Sequence, residues 1–204
     1  MRLWPRLLLL CLLLLPSVFH AGAQALPTAT QPLTISAFGG FTGSDLGLDA
    51  SRNLGGTAGV DVGFGSHFGL LPAAEVRGTY ASGGHIVASD ESVLGGIRIA
   101  RTFGRIQPYF DFLYGRGILN YGPPGYPNST YTLIYTHTAG NVLSPGGGID
   151  LILNERFSVK VDGQYQYFST PVNASQRIKV TPLTFGVAYK FDFNHHPRYN
   201  KRAP

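Results

Sequence analysis

The sequence predicts an all-β protein: eight antiparallel strands, joined up and down and closed into a transmembrane β-barrel. Three observations predict it. Segments with a period of two recur from residue 33 onward, with no stretch between them long enough for a crossover helix. Long, turn-rich connections alternate with tight ones. Six of the eight segments carry a charge on their less apolar face, while the other face is aliphatic and aromatic.

The N-terminal stretch MRLWPRLLLLCLLLLPSVFHAGAQ has the anatomy of a signal peptide. Arg2 and Arg6 precede the apolar run Leu7–Leu15, and Ala21-Gly22-Ala23 supplies the small-x-small pattern of a signal-peptidase site. The run falls short of the roughly 18 apolar residues of a membrane-spanning helix. Cleavage is expected after Ala23, with Ala25 as second choice, so 1–23 is a cleaved signal peptide and 24–32 a polar lead-in. Cys11 sits among leucines with no small residues just before it, so lipidation there is not expected. Removing 23 of 204 residues leaves 181 with no Cys, Trp or Met, hence no disulfide and no thiolate metal site. Arg2 and Arg6 leave too, so 14 basic residues face 11 acids, a balance too mild to argue for nucleic acid. Glycine stays high, and one domain is expected.

Strands are predicted at 33–42, 55–66, 70–82, 92–104, 107–118, 139–153, 156–168 and 179–193. The first follows the lead-in. In the second, Val60, Val62 and Phe64 oppose Asp61 and Gly63. In the third, Val76 and Tyr80 oppose Glu75, Arg77 and Thr79. The fourth sets Ile97 and Ile99 against Gly96, Arg98 and Ala100; the fifth sets Phe110, Phe112 and Tyr114 against Tyr109, Asp111 and Leu113. In the sixth, Ile149, Leu151 and Leu153 oppose Gly148 and Asp150. The seventh alternates most cleanly, with Val159, Val161, Gly163, Tyr165 and Tyr167 on one face and Lys160, Asp162, Gln164 and Gln166 on the other. In the eighth, Leu183, Phe185, Val187, Tyr189, Phe191 and Phe193 oppose Thr184, Gly186, Ala188 and Lys190.

Long connections at 43–54, 83–91, 119–138 and 169–178 alternate with tight ones at Ser66–Gly69, Gly104–Ile106 and Asn154-Glu155. Short turns at one membrane face and long loops at the other account for that alternation. Eight strands enclose an interior only wide enough for side chains. Placing Lys160 or Arg98 in lipid costs roughly 2–4 kcal/mol each at the midplane, so the charged face is the lumen. About ten residues at roughly 3.3 Å, tilted near 40°, span the apolar band. Tyr114, Tyr165, Tyr167, Tyr189 and Phe193 lie near strand ends, where an aromatic girdle is expected. The inward residues Glu75, Arg77, Arg98, Asp111, Asp150, Lys160, Asp162 and Lys190 make four acids and four bases, a lumen charge network that is formally neutral.

Two stretches resemble the small outer-membrane β-barrel proteins of the OmpA/OmpX kind over about residues 33–193. SPGGGIDLILNERFSVKVDGQYQYF (144–168) is similar to that family's glycine-rich sixth strand, tight turn and alternating seventh strand. TFGVAYKF (184–191) resembles its terminal-strand assembly signal, here Thr184, Gly186, Tyr189 and Phe191. The resemblance implies insertion by the barrel-assembly machinery into the outer membrane of a bacterium, with outer-membrane lipid around the barrel. The chain departs from the family in the basic periplasmic tail 194–204 after Phe193.

Some outer-membrane barrels are enzymes; deacylases among them use His, Ser two residues later, and Glu on a neighbouring strand. Here His137 is followed by Ala139, His67 by Phe and Gly, and His85 by Ile and Val, so no such set forms and no catalysis is expected. His195-His196 in the tail is read as surface rather than a metal pair, and no cofactor is expected. Gly146–Gly148 precedes no helix and is not a phosphate loop. Asn128-Ser129-Thr130 and Asn173-Ala174-Ser175 match glycosylation acceptors but carry no such meaning in a bacterial outer-membrane protein. The candidate partner-contacting surface is the loop 120–138, which offers Tyr121, Tyr126, Tyr131 and Tyr135 to an extracellular ligand. The expected function is a structural or surface-interaction (adhesion-type) role. The alternatives are a narrow passive pore and, behind it, a lipid-modifying enzyme.

Overall fold

A computed structural model of the chain describes residues 33–48 and 51–191. The expected signal peptide, lead-in and basic tail, with Phe193 and His195-His196, lie outside the described residues. Eight long strands follow one another: β1 (Thr34–Asp45), β2 (Arg52–Gly63), β3 (Leu71–Ser82), β4 (Val87–Ala100), β5 (Ile106–Tyr121), β6 (His137–Ile152), β7 (Phe157–Gln164, resumed at Gln166–Ser169) and β8 (Arg177–Phe191). Each pairs antiparallel with the next, and β1 pairs with β8 from Ile35↔Phe191 to Asp45↔Thr181, which closes the barrel. A two-residue ladder, Tyr126–Pro127 with Ile134–Tyr135, stiffens the third loop.

The interruption in β7 has a local cause. Its register is unbroken on both sides, Gly163↔Leu183 continuing to Gln166↔Val180 and Gln164↔Gly146 to Tyr167↔Leu143. The Tyr165 N–H donates to the Pro145 carbonyl at 2.9 Å, but proline has no N–H to return. Pro182 stands one step beyond Leu183 in the same register and leaves a second gap in the ladder.

Strand ends differ from expectation at the loop end of the barrel. The connections there are 46–51, 83–86, 122–136 and 170–176; at the turn end they are 64–70, 101–105 and 153–156. The alternation of ends holds, but only 122–136 is long. Residues 87–91 read as loop because Ser89, Asp90 and Glu91 are polar, yet they extend β4, with a register shift between Val87 and Ser89. Ser89 and Asp90 are buried, and the Asn53 side chain donates to Asp90 Oδ1 at 2.7 Å.

The two faces of the wall are sharply different. Lys160 is 1% exposed, while Phe41 on the opposite parity is 85% exposed, and Leu54, Val76, Val93, Ile97, Phe110 and Phe185 face outward with it. Aromatic side chains gather toward both ends. Tyr165 and Tyr167 pack edge-on at 5.0 Å, and Tyr189 packs edge-on against both Phe157 and Phe191.

The interior is layered. Toward the loop end it is an apolar plug of Leu46, Val87, Leu94, Leu113, Leu119, Tyr121, Val142, Phe168, Val172, Ile178 and Val180. A hydroxyl belt borders it: Thr42 Oγ1 lies 2.7 Å from Thr57 and 2.8 Å from Thr184, and Thr57 lies 2.9 Å from Thr79. The network of paired charges occupies the half nearer the turn end, while the buried Asp90 lies toward the loop end with Asn53. Filling an eight-stranded lumen entirely with side chains is what its diameter allows.

Candidate functional site

Charge on an inward face must find partners within the lumen, because an unpartnered buried ion is strongly destabilising. Arg77 on β3 meets that demand three ways. Its Nε donates to Glu75 on the same strand, Nη1 donates to Asp162 Oδ1 on β7 at 2.6 Å, and Nη2 reaches Asp111 Oδ2 on β5 at 3.1 Å. The planar guanidinium thereby ties three strands across the barrel, a geometry that lysine's single ammonium would not reproduce.

Arg98 on β4 forms a second node. Nη1 donates to Asp61 Oδ2 on β2 at 3.0 Å, Nη2 donates to Asp150 on β6, and the guanidinium stacks 4.0 Å from the Tyr109 ring centroid. Lys160 on β7 joins the two nodes. Its ammonium lies 3.6 Å from Asp150 Oδ1 and donates to the Tyr109 hydroxyl at 3.1 Å, and that hydroxyl donates to Asp162 Oδ2 at 2.7 Å. The Lys160 cation also faces the Phe38 ring at 4.6 Å. Gln164 finishes the upper edge, donating to Asp111 at 3.0 Å while accepting from Ser144 at 2.8 Å.

The buried network departs from the expected one at two residues, Lys190 and Asp61. Lys190 has inward parity, but its side chain is exposed at the turn-end rim. There it lines a vestibule of about 400 Å³ with Ser36, Asp61, Arg98, Asp150 and Arg156. It falls at the end of β8, where the lumen opens, so parity alone misplaced it. Asp61, omitted from the expected set, is buried against Arg98. The buried cluster therefore has five acids (Asp61, Glu75, Asp111, Asp150, Asp162) and three bases (Arg77, Arg98, Lys160), and it is acidic rather than formally neutral.

The terminal-strand residues divide by face. Thr184 belongs to the hydroxyl belt, Gly186 sits opposite Gly40 at the closing seam, and Tyr189 and Phe191 are outward. The loop tyrosines also divide. Tyr121 is a correction: it is the last residue of β5, buried in the plug, with its hydroxyl 2.9 Å from Thr138 Oγ1. Tyr126 and Tyr135 pack on the plug from above. Only Tyr131 stands free at 83% exposure, beside Leu133 and Ile134, which sequence reasoning missed. Asn128 fixes this tip, its amide donating to the Thr130 and Thr132 hydroxyls and its Oδ1 accepting from the backbone N–H groups of Thr132 and Leu133. Among the described residues no group of three or more His, Cys, Asp or Glu is arranged to hold a metal ion.

Compared with family models and with curated proteins, the chain matches none. Among solved structures it is similar to Ail, the attachment invasion locus protein of Yersinia pestis, in complex with the heparin analogue sucrose octasulfate. The identity is 16%, the TM-score 0.52, and the match covers 78% of this chain and 99% of that one. It is also similar to Neisserial surface protein A, at 13% identity and a TM-score of 0.52, covering 78% of this chain and 97% of that one. At these identities the likeness is one of fold, and the fold is that of the small eight-stranded outer-membrane β-barrels.

Proposed function

We propose that this chain is a non-enzymatic barrel of the bacterial outer membrane, its lumen closed by side chains, which acts by presenting its third loop to a partner outside the cell. The inverted distribution of charge and apolar surface carries this conclusion. A wall of exposed Phe, Val, Leu and Ile around a buried ionic cluster is stable only where the outside is hydrocarbon. Export by a cleaved signal peptide and insertion by the barrel-assembly machinery through Thr184, Gly186, Tyr189 and Phe191 belong to the same proposal.

The apolar plug argues against the pore, because a passage lined by Leu94, Leu113, Val142 and Val180 excludes water and ions alike. The loop argues for contact. Tyr131, Leu133 and Ile134 project from a tip held by Asn128, and exposed apolar residues on a braced loop suit a protein surface. The stretch 120–138 has no Lys, Arg, Asp or Glu, so a polyanion like the one bound to Ail is not the ligand favoured here.

Expression in a Gram-negative host tests both parts. The protein is expected in the outer-membrane fraction after carbonate washing, with unboiled and boiled samples migrating differently. Cells displaying it should adhere to protein-coated surfaces, and Tyr131→Ser/Leu133→Ser/Ile134→Ser should cut adhesion to background without changing membrane level. Release by carbonate contradicts the membrane location. Equal adhesion by both forms contradicts the role of the loop.

A further inference from the structure

Besides Arg52, three cations break the apolar outer wall toward the loop end: Arg116 on β5, and Arg177 and Lys179 on β8. All are exposed. The register sets them in two adjoining rows. Arg116 pairs with Asn141, Asn141 lies across from Ser169 in the continuing β6–β7 register, and Ser169 pairs with Arg177. In the next row toward the turn end, Tyr114 pairs with Leu143, Leu143 with Tyr167, and Tyr167 with Lys179.

These rows bound a groove of about 500 Å³ lined by Tyr114, Asn141, Leu143, Tyr167, Ser169 and Arg177. One end of it is cationic and hydrogen-bonding, the other aromatic and aliphatic. Among the described residues none of the three cations forms a salt bridge, whereas Arg52 at the same end has Asp45 at 3.9 Å. Glu91, on the same outer face of β4, accepts from the Asn120 amide. A cation on the outer wall is strongly unfavourable at depth and tolerated at headgroup height, where its stem lies on apolar surface and its charge meets phosphate.

We propose that this groove binds a phosphate-bearing lipid, an inference that rests on the membrane location proposed above. Arg177 and Arg116 hold the headgroup phosphate from its two sides, and the Asn141 amide and Ser169 hydroxyl donate to its remaining oxygens. Three inter-strand steps, about 14 Å between Cα atoms, separate the arginines, a span that two arginine side chains can close around one phosphate; Arg177 lines the groove and Arg116 stands in its bounding row. Tyr114, Leu143 and Tyr167 carry an acyl chain. That apolar half favours a lipid over a soluble anion, which would leave it uncovered.

The test uses the full chain refolded into phosphatidylcholine nanodiscs containing about one-tenth phosphatidylglycerol, with the lipid that stays bound counted by native mass spectrometry. Wild type and the control Arg52→Gln should retain phosphatidylglycerol over phosphatidylcholine. Each of Arg116→Gln and Arg177→Gln should lower that preference about fivefold, and Arg177→Lys should restore part of it. Equal retention by wild type and Arg116→Gln/Arg177→Gln, with heat-shifted migration intact, overturns the site alone. Displacement of phosphatidylglycerol by inorganic phosphate at millimolar concentration overturns the lipid in favour of a soluble anion. Failure of the wild type to insert overturns the membrane location, and the site with it. If the double variant does not fold, the Arg177→Gln and Arg177→Lys pair decides, and identical retention by the two overturns the proposal.

Discussion

Arg77→Leu is expected to abolish a stable barrel. The substitution removes the cation that Glu75, Asp111 and Asp162 share in ion-pair contact, all three buried, and leaves Asp111 and Asp162 only the neutral donors Gln164 and Tyr109. Breaking a buried pair from one side costs about 3–5 kcal/mol, and here the cluster is already acidic, so Arg98 and Lys160 cannot take up the excess. Arg77→Lys should fall between, since it restores the charge but not the three-way fork. The control is Gln166→Leu, a buried amide at the loop end whose Nε2 has no hydrogen-bond partner; trading it for an apolar side chain should change stability by about 1 kcal/mol or less. Urea unfolding in lipid vesicles, read by loss of the heat-shifted band, checks the ranking. Arg77→Leu as stable as wild type would mean that the ionic cluster does not hold the strands together.

Gly186→Val should prevent closure. Gly186 pairs with Gly40 across the β8–β1 seam, and a Cβ on Gly186 would sit 2.3 Å from the Gly39 carbonyl oxygen and 2.8 Å from the Gly40 Cα. The relation is reciprocal, since a Cβ on Gly40 would lie 2.4 Å from the Phe185 carbonyl oxygen. Ordinary overpacking costs about 1–3 kcal/mol because side chains can shift; here the obstacle is backbone, and only parting the seam relieves it. Gly163→Val is the matched control. It lies on the outer face of β7, where a Cβ meets nothing nearer than Leu183 Cδ1 at 3.9 Å, and valine suits a strand. The expected result is loss of the heat-shifted band for Gly186→Val and retention for Gly163→Val. Deleting 195–204 should leave insertion largely intact. Closure by Gly186→Val at wild-type yield would mean the seam is looser than its register indicates.

Period-two alternation made the faces legible residue by residue, because a strand side chain has only two directions to take. Lys160, Asp162, Arg77 and Arg98 point inward for the same reason that Val93, Ile97 and Phe185 point out. Parity carries no information about depth, and depth explains the misplacements. Lys190 shares the parity of the buried network yet falls where the lumen opens. Tyr121 reads as loop beside Gly122 and two prolines, yet it is the last rung of β5 and part of the plug. Ser89 and Asp90 read as loop for their polarity, although a barrel interior is where a polar strand residue belongs when an Asn53 side chain awaits it. The plug itself was hidden for a related cause. Leu94, Leu113 and Val142 share the inward faces of their strands with Arg98, Asp111, Asp150 and several glycines, and only the register collects them with Val87, Leu119 and Tyr121 at one end.

Methyl NMR of the intact protein in nanodiscs tests the orientation of the wall most directly, since it needs no substitution. A nitroxide carried on the lipid acyl chain should broaden the methyl signals of Val76, Val93, Ile97, Leu183 and Val187. Those of Leu94, Leu113, Val142 and Val180 should stay sharp, as should all nine when a water-soluble gadolinium chelate replaces the lipid nitroxide. Broadening of Leu94 and Val142 by the lipid probe, or of Val93 and Ile97 by the aqueous one, would contradict an apolar face turned to hydrocarbon around a charged lumen.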